Sequence, residues 1–467
     1  MARVVMIPTA RPTFRVDVAR SLADAARTAL VELGAEVSGP VDLVMTPEDV
    51  EAATAWIDPS ADLVVNVCAS FSDATPALRL YRDLDKPVLL WTFHEPGPVG
   101  DRLWLNSLCG ANLFGHALVR EGGAVRLLYG HPDQPEVRET LRASLRGELP
   151  QVEALPVRPG ERADTEAVRA ALASLRGQRI GLIGEAPAGF TPSEYDPALL
   201  DRLFGLTVEE FPVESFLDRV RDVDPAEAEQ EVTRAEQAQP SLKTLDREQV
   251  TTSASITTTL QAWTGKSALA AVAVRCWPEF PTQLGACPCS SLSRVADLGT
   301  PTTCERDVYG AVTMLLLQSL GAGMSYLVDT VDLDEENDIV RFWHCGSAAT
   351  ALAADPSDAG QYVHCNRRLG VAGNFPLRTG PVIVARLTED PDQPSGLRLL
   401  LTAGESLPEP NRFQGNTAAV RLDVPARQAV HNLVTGGFPH HTVLGFRDVR
   451  PQLRTAADLV GIPVVEW

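Results

Sequence analysis

The sequence predicts an α/β protein: two doubly wound, Rossmann-like α/β domains followed by a β-rich, barrel-like C-terminal domain. Two observations carry this reading. Over the first two thirds, short runs of Val, Leu and Ile on successive residues alternate with amphipathic stretches, the pattern of parallel strands buried on both faces with helices between them. In the last third the long helices drop out, and strand-like runs are separated by Gly, Pro and Asn, as in antiparallel sandwiches and barrels. A chain of 467 residues is long enough for about three such units at roughly 150 residues each.

In the first unit (1–160), Val4–Ile7, Asp42–Met45, Asp62–Cys68, Pro87–Trp91 and Val125–Tyr129 read as strands, and Val16–Leu33 as a helix. A Pro-, Gly-, Glu- and Arg-rich stretch, Pro150–Asp164, reads as a linker. The alternation restarts in the second unit (161–328) with strands at Arg179–Ile183, Leu206–Phe211 and Ala268–Cys276. The third (329–467) has strands at Ile339–His344, Pro381–Leu387, Leu397–Thr402, Ala418–Leu422 and Thr442–Phe446. No GxGxxG follows the first strand and no GxxxxGK[ST] occurs, so the α/β layers carry no nucleotide signature.

Composition narrows the function. With 45% hydrophobic and 22% charged residues the chain is neither disordered nor fibrous. A formal charge of −20 repels phosphate backbones and anionic lipid, which disfavours nucleic acid and membrane as partners. The Met1–Pro8 run is too short for a signal peptide, no stretch approaches the ~20 apolar residues of a membrane span, and the eight cysteines show no CxxC pairs. A cytoplasmic protein with reduced thiols is expected.

Three stretches carry candidate chemistry. Thr302-Thr-Cys-Glu305 precedes the helical pattern of Val308, Val312, Leu315 and Leu316. Read structurally it is a capping box with the helix starting near Thr302; read functionally, Glu305 is a carboxylate kept ionised by the helix dipole and able to bind a cation. Next, Tyr326–His344 reads as two strands joined by a tight turn at Glu336-Asn337, which pairs Glu335 with Asp338 and, counted outward, Asp329 with His344 on one face. The acidic run Asp332–Asp338 lacks the glycine and distal glutamate of an EF-hand loop and reads as a solvated turn. Finally, Gly436-Gly-Phe-Pro-His440-His441 offers two imidazoles; strand alternation lets one of them enter a given site. Two carboxylates with one or two imidazoles suit Mn2+, with Co2+ or Mg2+ as other divalent candidates.

These residues resemble the L-fucose isomerase and L-arabinose isomerase superfamily. The Cys304-Glu305-Arg-Asp-Val-Tyr-Gly310 segment is similar to its first metal-ligand motif, and Asp329 follows 24 residues later, as the second acidic ligand does in the fucose branch. His344 in Trp343-His-Cys-Gly346 resembles the histidine of the arabinose branch, and Pro439-His440-His441 the C-terminal pair. Phe375-Pro-Leu-Arg-Thr-Gly-Pro381 with Val384-Ala-Arg386 resembles the family's C-terminal domain.

The resemblance implies a Mn2+-dependent aldose–ketose isomerase acting on a pentose, 6-deoxyhexose or related monosaccharide. Glu305 and Asp329 would be the acid/base pair, and Glu305, Asp329, His441 and His344 the metal ligands, with His440 beside the sugar. It also implies a homo-oligomer, trimer or hexamer, in which a neighbour's N-terminal domain closes over the site; Trp91, Arg11 and Arg15 are the residues that would reach a neighbour's sugar. A noncatalytic sugar-binding protein on the same scaffold, and a metal-dependent epimerase or aldolase, are the alternatives.

Overall fold

The computed structural model describes residues 1–151 and 160–467; most of the predicted linker Pro150–Asp164 lies outside the described residues. The first sheet is parallel and five-stranded: β1 (Arg3–Thr9), β2 (Glu36–Ser38), β3 (Leu63–Cys68), β4 (Val88–Thr92) and β5 (Val125–Tyr129), in the order β2-β1-β3-β4-β5. Every residue of β3 and β4 is buried, as their unbroken apolar runs require. One expected strand, Asp42–Met45, contributes only a single bridge, Val44 to Thr9. The edge strand is Glu36–Ser38 instead, because Gly39 at φ 120°, where a Cβ would meet the Met6 carbonyl oxygen at 2.1 Å, and Pro40 turn the chain out of the ladder.

The second sheet is also parallel: β6 (Arg179–Ile183), β7 (Thr207–Phe211), β8 (Leu269–Val274) and the two-residue β9 (Thr302–Thr303), in the order β7-β6-β8-β9. The third sheet is mixed: β10 (Ser325–Asp334), β11 (Ile339–His344), β14 (Phe375–Pro376), β15 (Gly380–Glu389), β16 (Leu397–Leu407), β17 (Asn416–Leu422), β18 (His441–Gly445) and β19 (Val464–Glu466), with β12 (Gln361–Val363) and β13 (Val371–Gly373) forming a separate hairpin. Its order is β14-β17-β11-β10-β18-β15-β16-β19, and an additional β16–β17 ladder joins two members of the row. That ladder closes β17-β11-β10-β18-β15-β16 into a barrel and leaves β14 and β19 as parallel appendages.

The helix Ser107–Arg120 is buried along nearly its whole length between the first sheet and the barrel, and apolar side chains of both share one core with it. Gly115 lets this helix pack closely on the helix Ala426–Thr435: a Cβ there would lie 2.5 Å from the Val434 carbonyl oxygen. The helix Val308–Ser319 plays the same part between the second sheet and the other side of the barrel. Residues that follow strands of both parallel sheets, Arg11 and Phe71 from the first and Phe190 and Trp277 from the second, line one pocket with barrel residues, beyond the carboxyl ends of the strands where ligands bind in open α/β sheets. Among the described residues no helix is long and apolar enough to cross a membrane.

A buried polar network ties the end of β4 to the barrel. Glu95 accepts backbone N–H bonds from Trp104 (2.8 Å), Leu105 (3.2 Å) and Asn106, and its own N–H donates to Asp332 at 3.2 Å. Asp332 also accepts from Tyr129 Oη (2.8 Å) and pairs with Arg341 (3.0 Å), so this member of the acidic run is not the solvated turn residue expected. Burial, helped by the Asp332 charge, pushes the Glu95 carboxyl up to about 7 despite its three donors. A group whose folded pKa is raised contributes stability fully below its unfolded pKa and loses it as pH rises through the folded one. Denaturant unfolding of the protein and of Glu95→Gln at about pH 5 and about pH 8 is therefore expected to show the unsubstituted chain losing about 2–3 kcal/mol relative to the variant at the higher pH. A difference independent of pH would show that Glu95 is ionised throughout.

Candidate active site

Glu305 does not sit in a helical capping box. Thr302 and Thr303 form β9, Glu305 and Arg306 both take left-handed backbone (φ 57° and 61°), and the helix starts only at Val308, capped by Asp307, whose Oδ1 accepts from Gly310 N at 2.7 Å. Two successive non-glycine residues in that region cost on the order of 1–2 kcal/mol each. The turn is held by hydrogen bonds to its backbone and to Arg306: Ser193 Oγ donates to the Glu305 carbonyl, Arg306 N to Val274 O (2.9 Å), and the Arg306 guanidinium to the Gly184 (2.7 Å) and Ser193 (2.9 Å) carbonyls. Its effect is to project the Glu305 carboxylate out of the helix line towards the barrel.

The barrel supplies the partners. A bulge between Thr330 and Asp332 shifts the β10–β11 register by one, so Asp329 lies opposite Trp343 rather than His344. On its other side Asp329 lies opposite His441, the first residue of β18. His441 is the hub: its Nε2 is 3.4 Å from Glu305 Oε2, 3.5 Å from Asp329 Oδ1 and 3.4 Å from His344 Nε2. His440 Nε2 is also 3.4 Å from Glu305 Oε2. Both histidines reach the site, against the expectation of one, because His440 precedes the strand and is not bound by its alternation.

His441 is oriented from behind. Its Nδ1 lies 2.9 Å from Asp307 Oδ2, and Asp307 is itself fully buried in a bidentate pair with Arg386 of β15. An Nδ1–H donated to Asp307 leaves the Nε2 lone pair facing the two carboxylates. His344 is held the other way round: the Cys345 N–H donates to its Nδ1 at 2.9 Å, which puts the proton of the neutral ring on Nε2. Burial alone would raise the Glu305 carboxyl, but the His440 hydrogen bond and the charges of His441, His440 and His344 outweigh it and hold it at about 2. Burial lowers His344 and His440, whereas Asp307, Glu305 and Asp329 raise His441 in spite of burial.

Asp329, His344 and His441 form one group of donor atoms within 4.8 Å of one another, and Glu305, His440 and His441 another. Separations of 3.4–3.5 Å are those of two donors sharing one ion through bonds of about 2.0–2.3 Å. Asp329 Oδ1, buried, has no hydrogen-bond partner among the described residues, an acceptor with room for a cation. Cysteines scattered in the sequence also gather here: Cys289 Sγ lies 3.7 Å from Cys345 Sγ, and with His364 they form a softer donor group. The hydrogen bond with Cys304 and burial push the Cys289 thiol well up, and the hydrogen bond with Cys289 and burial push the Cys345 thiol well up, so at neutral pH both are neutral thiols and the carboxylate–imidazole group is the charged site.

The pocket over these groups is lined by residues that follow β1 (Arg11, Phe14), β3 (Phe71), β6 (Phe190) and β8 (Trp277), and by Arg367 from the loop between β12 and β13. Arg11 thus faces the site of its own chain. Trp91 does not: fully buried in the first sheet, it donates Nε1–H to the Gly130 carbonyl at 3.0 Å and is a core residue. Arg15 is paired with Asp17 at 2.6 Å and lies over Trp104, outside the pocket lining. Sequence reasoning passed over Asp307, Arg386, Trp277 and Arg367. Of these, Asp307 had a signal, an Asp immediately before the helical run, where N-caps are found.

No protein-family model matches the chain. It is similar along its whole length to proteins named sulfoquinovose isomerase: that of Alkalicoccus urumqiensis at 33% identity over 469 residues (100% of this chain, 99% of the relative), that of Priestia aryabhattai at 31% over 452 residues (96% of each), and that of Clostridium sp. strain MSTE9 at 28% over 463 residues (98% and 97%). The sugar isomerase expected from the sequence is supported, although these names do not speak of fucose or arabinose. With identity above 30% across essentially the full chain, this protein is an isomerase and belongs to the sulfoquinovose isomerase family.

Proposed function

We infer that the chain is a divalent-metal-dependent aldose–ketose isomerase acting on a monosaccharide that carries an anionic sulfonate, the substrate class its relatives' name indicates. The observation behind the metal is that Glu305 Oε2, from the turn after β9, and Asp329 Oδ1, from β10, each lie within 3.5 Å of His441 Nε2 at the start of β18. These three would hold the ion; Mn2+ suits a mixed carboxylate–imidazole set. His344, protonated on Nε2, is better placed as a hydrogen-bond donor to an oxygen at the site than as a fourth ligand.

Aldose–ketose conversion removes a proton from C2 and delivers one to C1. When bound, a divalent ion supplies Lewis acidity that disperses the negative charge developing on O1 and O2. Glu305, held ionised, is free to accept a proton, and Asp329, on β10 opposite His441, is the second carboxylate that can carry it. His440 Nε2 beside Glu305 is placed to hydrogen-bond that carboxylate in either protonation state. Phe71, Phe190 and Trp277 wall the pocket and limit water at the exchanging carbon. The full-length relatives named as isomerases weigh against a noncatalytic sugar-binding protein.

Dialysis against a chelator is expected to abolish turnover and Mn2+ to restore it, with a ketose of unchanged mass as product; shorter fragments would point to an aldolase. Glu305→Gln is expected to stay folded by circular dichroism and lose about 100- to 10,000-fold in kcat. Near-normal turnover in that variant would remove Glu305 from the mechanism. Asp307→Asn is expected to weaken metal binding by about 10- to 100-fold in a calorimetric titration, since His441 loses its charged orienting partner. It also leaves Arg386 buried opposite a neutral amide, and a lowered melting temperature is expected with it.

A further inference from the structure

We propose that Arg11 and Arg367, which share the indole of Trp277, form the subsite that binds the sulfonate of the sugar. The proposal rests on the isomerase reading above and adds to it which residues recognise the charge. The Arg11 guanidinium lies 4.7 Å from the Trp277 ring centroid and the Arg367 guanidinium 5.6 Å. Both line the same pocket as Glu305 and Asp329. Neither guanidinium takes an ion pair or a hydrogen bond among the described residues; the hydrogen bonds of these two residues are made by their backbones, Arg11 N–H donating to Ser70 Oγ, its carbonyl accepting from Phe14 N, and Arg367 N–H donating to His364 Nδ1.

Exposed arginines such as Arg219, Arg378 and Arg421 also lack a carboxylate partner, but Arg11 and Arg367 are half-buried, where other arginines such as Arg294 and Arg341 are paired. Arg11 is packed against Phe71 and Phe190 as well (5.7 and 5.9 Å), so its position is set by three rings while its donors stay unused. Asp73 and Glu305 act on Arg11 only through space, outside ion-pair distance, while the Arg367 charge opposes it; an anion bound between the two guanidinium groups offsets that repulsion. A guanidinium presents a planar fork of five donors that matches the oxygens of a tetrahedral oxyanion, and two forks can engage all three oxygens of a sulfonate.

The pocket is therefore polar along its length. Phe71 and Phe190, which flank Arg11, also lie 6.4 and 6.0 Å from the His440 ring, and His440 touches Glu305. The cationic pole and the acidic pole stand on the two sides of these rings. An anionic sugar then has one favourable direction of entry: sulfonate to the arginines, carbonyl end to the carboxylates.

The test uses the Mn2+-loaded protein with three substrates, 6-deoxy-6-sulfoglucose, glucose 6-phosphate and glucose, and reads both kcat/KM and equilibrium binding by tryptophan fluorescence. Arg367→Gln and Arg11→Gln are each expected to lower the ratio of kcat/KM for the sulfonated sugar to that for glucose by at least about 30-fold, mostly through KM, and to weaken binding of the sulfonated sugar in parallel. Arg367→Lys, which keeps the charge but not the fork, is expected to recover part of the loss. An unchanged ratio in both glutamine variants, with the unsubstituted enzyme active on the sulfonated sugar, overturns this assignment and leaves the isomerase reading standing. A preference of the unsubstituted enzyme for the 6-phosphate overturns the sulfonate. Turnover of none of the three overturns both readings.

Discussion

The site depends on one buried carboxylate. Asp307 caps the helix Val308–Ser319, pairs bidentately with Arg386 of the barrel and accepts from His441 Nδ1, so a single side chain joins the end of the second sheet, the barrel wall and the imidazole at the centre of the donor group. Such a node is demanding because a carboxylate and a guanidinium removed from water are tolerable only when nearly all their donors and acceptors are matched. Asp307 is matched by Gly310 N, by both terminal nitrogens of Arg386 and by His441. With Asp307 fixed, the chain two residues earlier has little freedom, and the left-handed turn at Glu305 and Arg306 follows from the need to leave β9 and enter the helix within four residues.

Much of this was legible in the sequence where the signal is local. The runs at Val125–Tyr129, Arg179–Ile183 and Ile339–His344 coincide with strands because consecutive buried apolar residues have no other comfortable home in a sheet protein. The residue types at the site were legible in part, since Asp329 and His344 share one donor group with His441, and Glu305 belongs to a second that also includes His441. What stayed hidden was set by contacts distant in sequence. Closure of the barrel rests on β16 meeting β17, which no periodicity announces, and the bulge that puts Trp343 rather than His344 opposite Asp329 shifts by one residue a ladder whose turn was placed correctly. The capping box failed for a different reason: Thr302 and Glu305 satisfy the motif, but Asp307 is the stronger cap, and Thr302 pairs with Val272 in the sheet instead. Trp91 looked available only because a tryptophan at a strand end does not show from sequence which face it occupies.

Three carboxylates, Glu305, Asp307 and Asp329, meet one guanidinium, Arg386, in this part of the fold, so the group is short of positive charge by more than the arginine supplies. A proton on His441 and a divalent ion are two ways to make up the deficit, and both use the same Nε2 lone pair. Of the carboxylates that raise the affinity of His441 for a proton, Glu305 and Asp329 are the ones that would hold the ion, while Asp307 takes the histidine's other nitrogen. A proton and a bound ion would therefore compete, and one-sidedly: an ion of charge two would compensate more of the surrounding carboxylate charge than a proton does, while Glu305, held near 2, remains an ionised carboxylate well into acid. The arrangement that makes His441 a better base is thus also the one that makes it a better ligand, and Asp307 sets both.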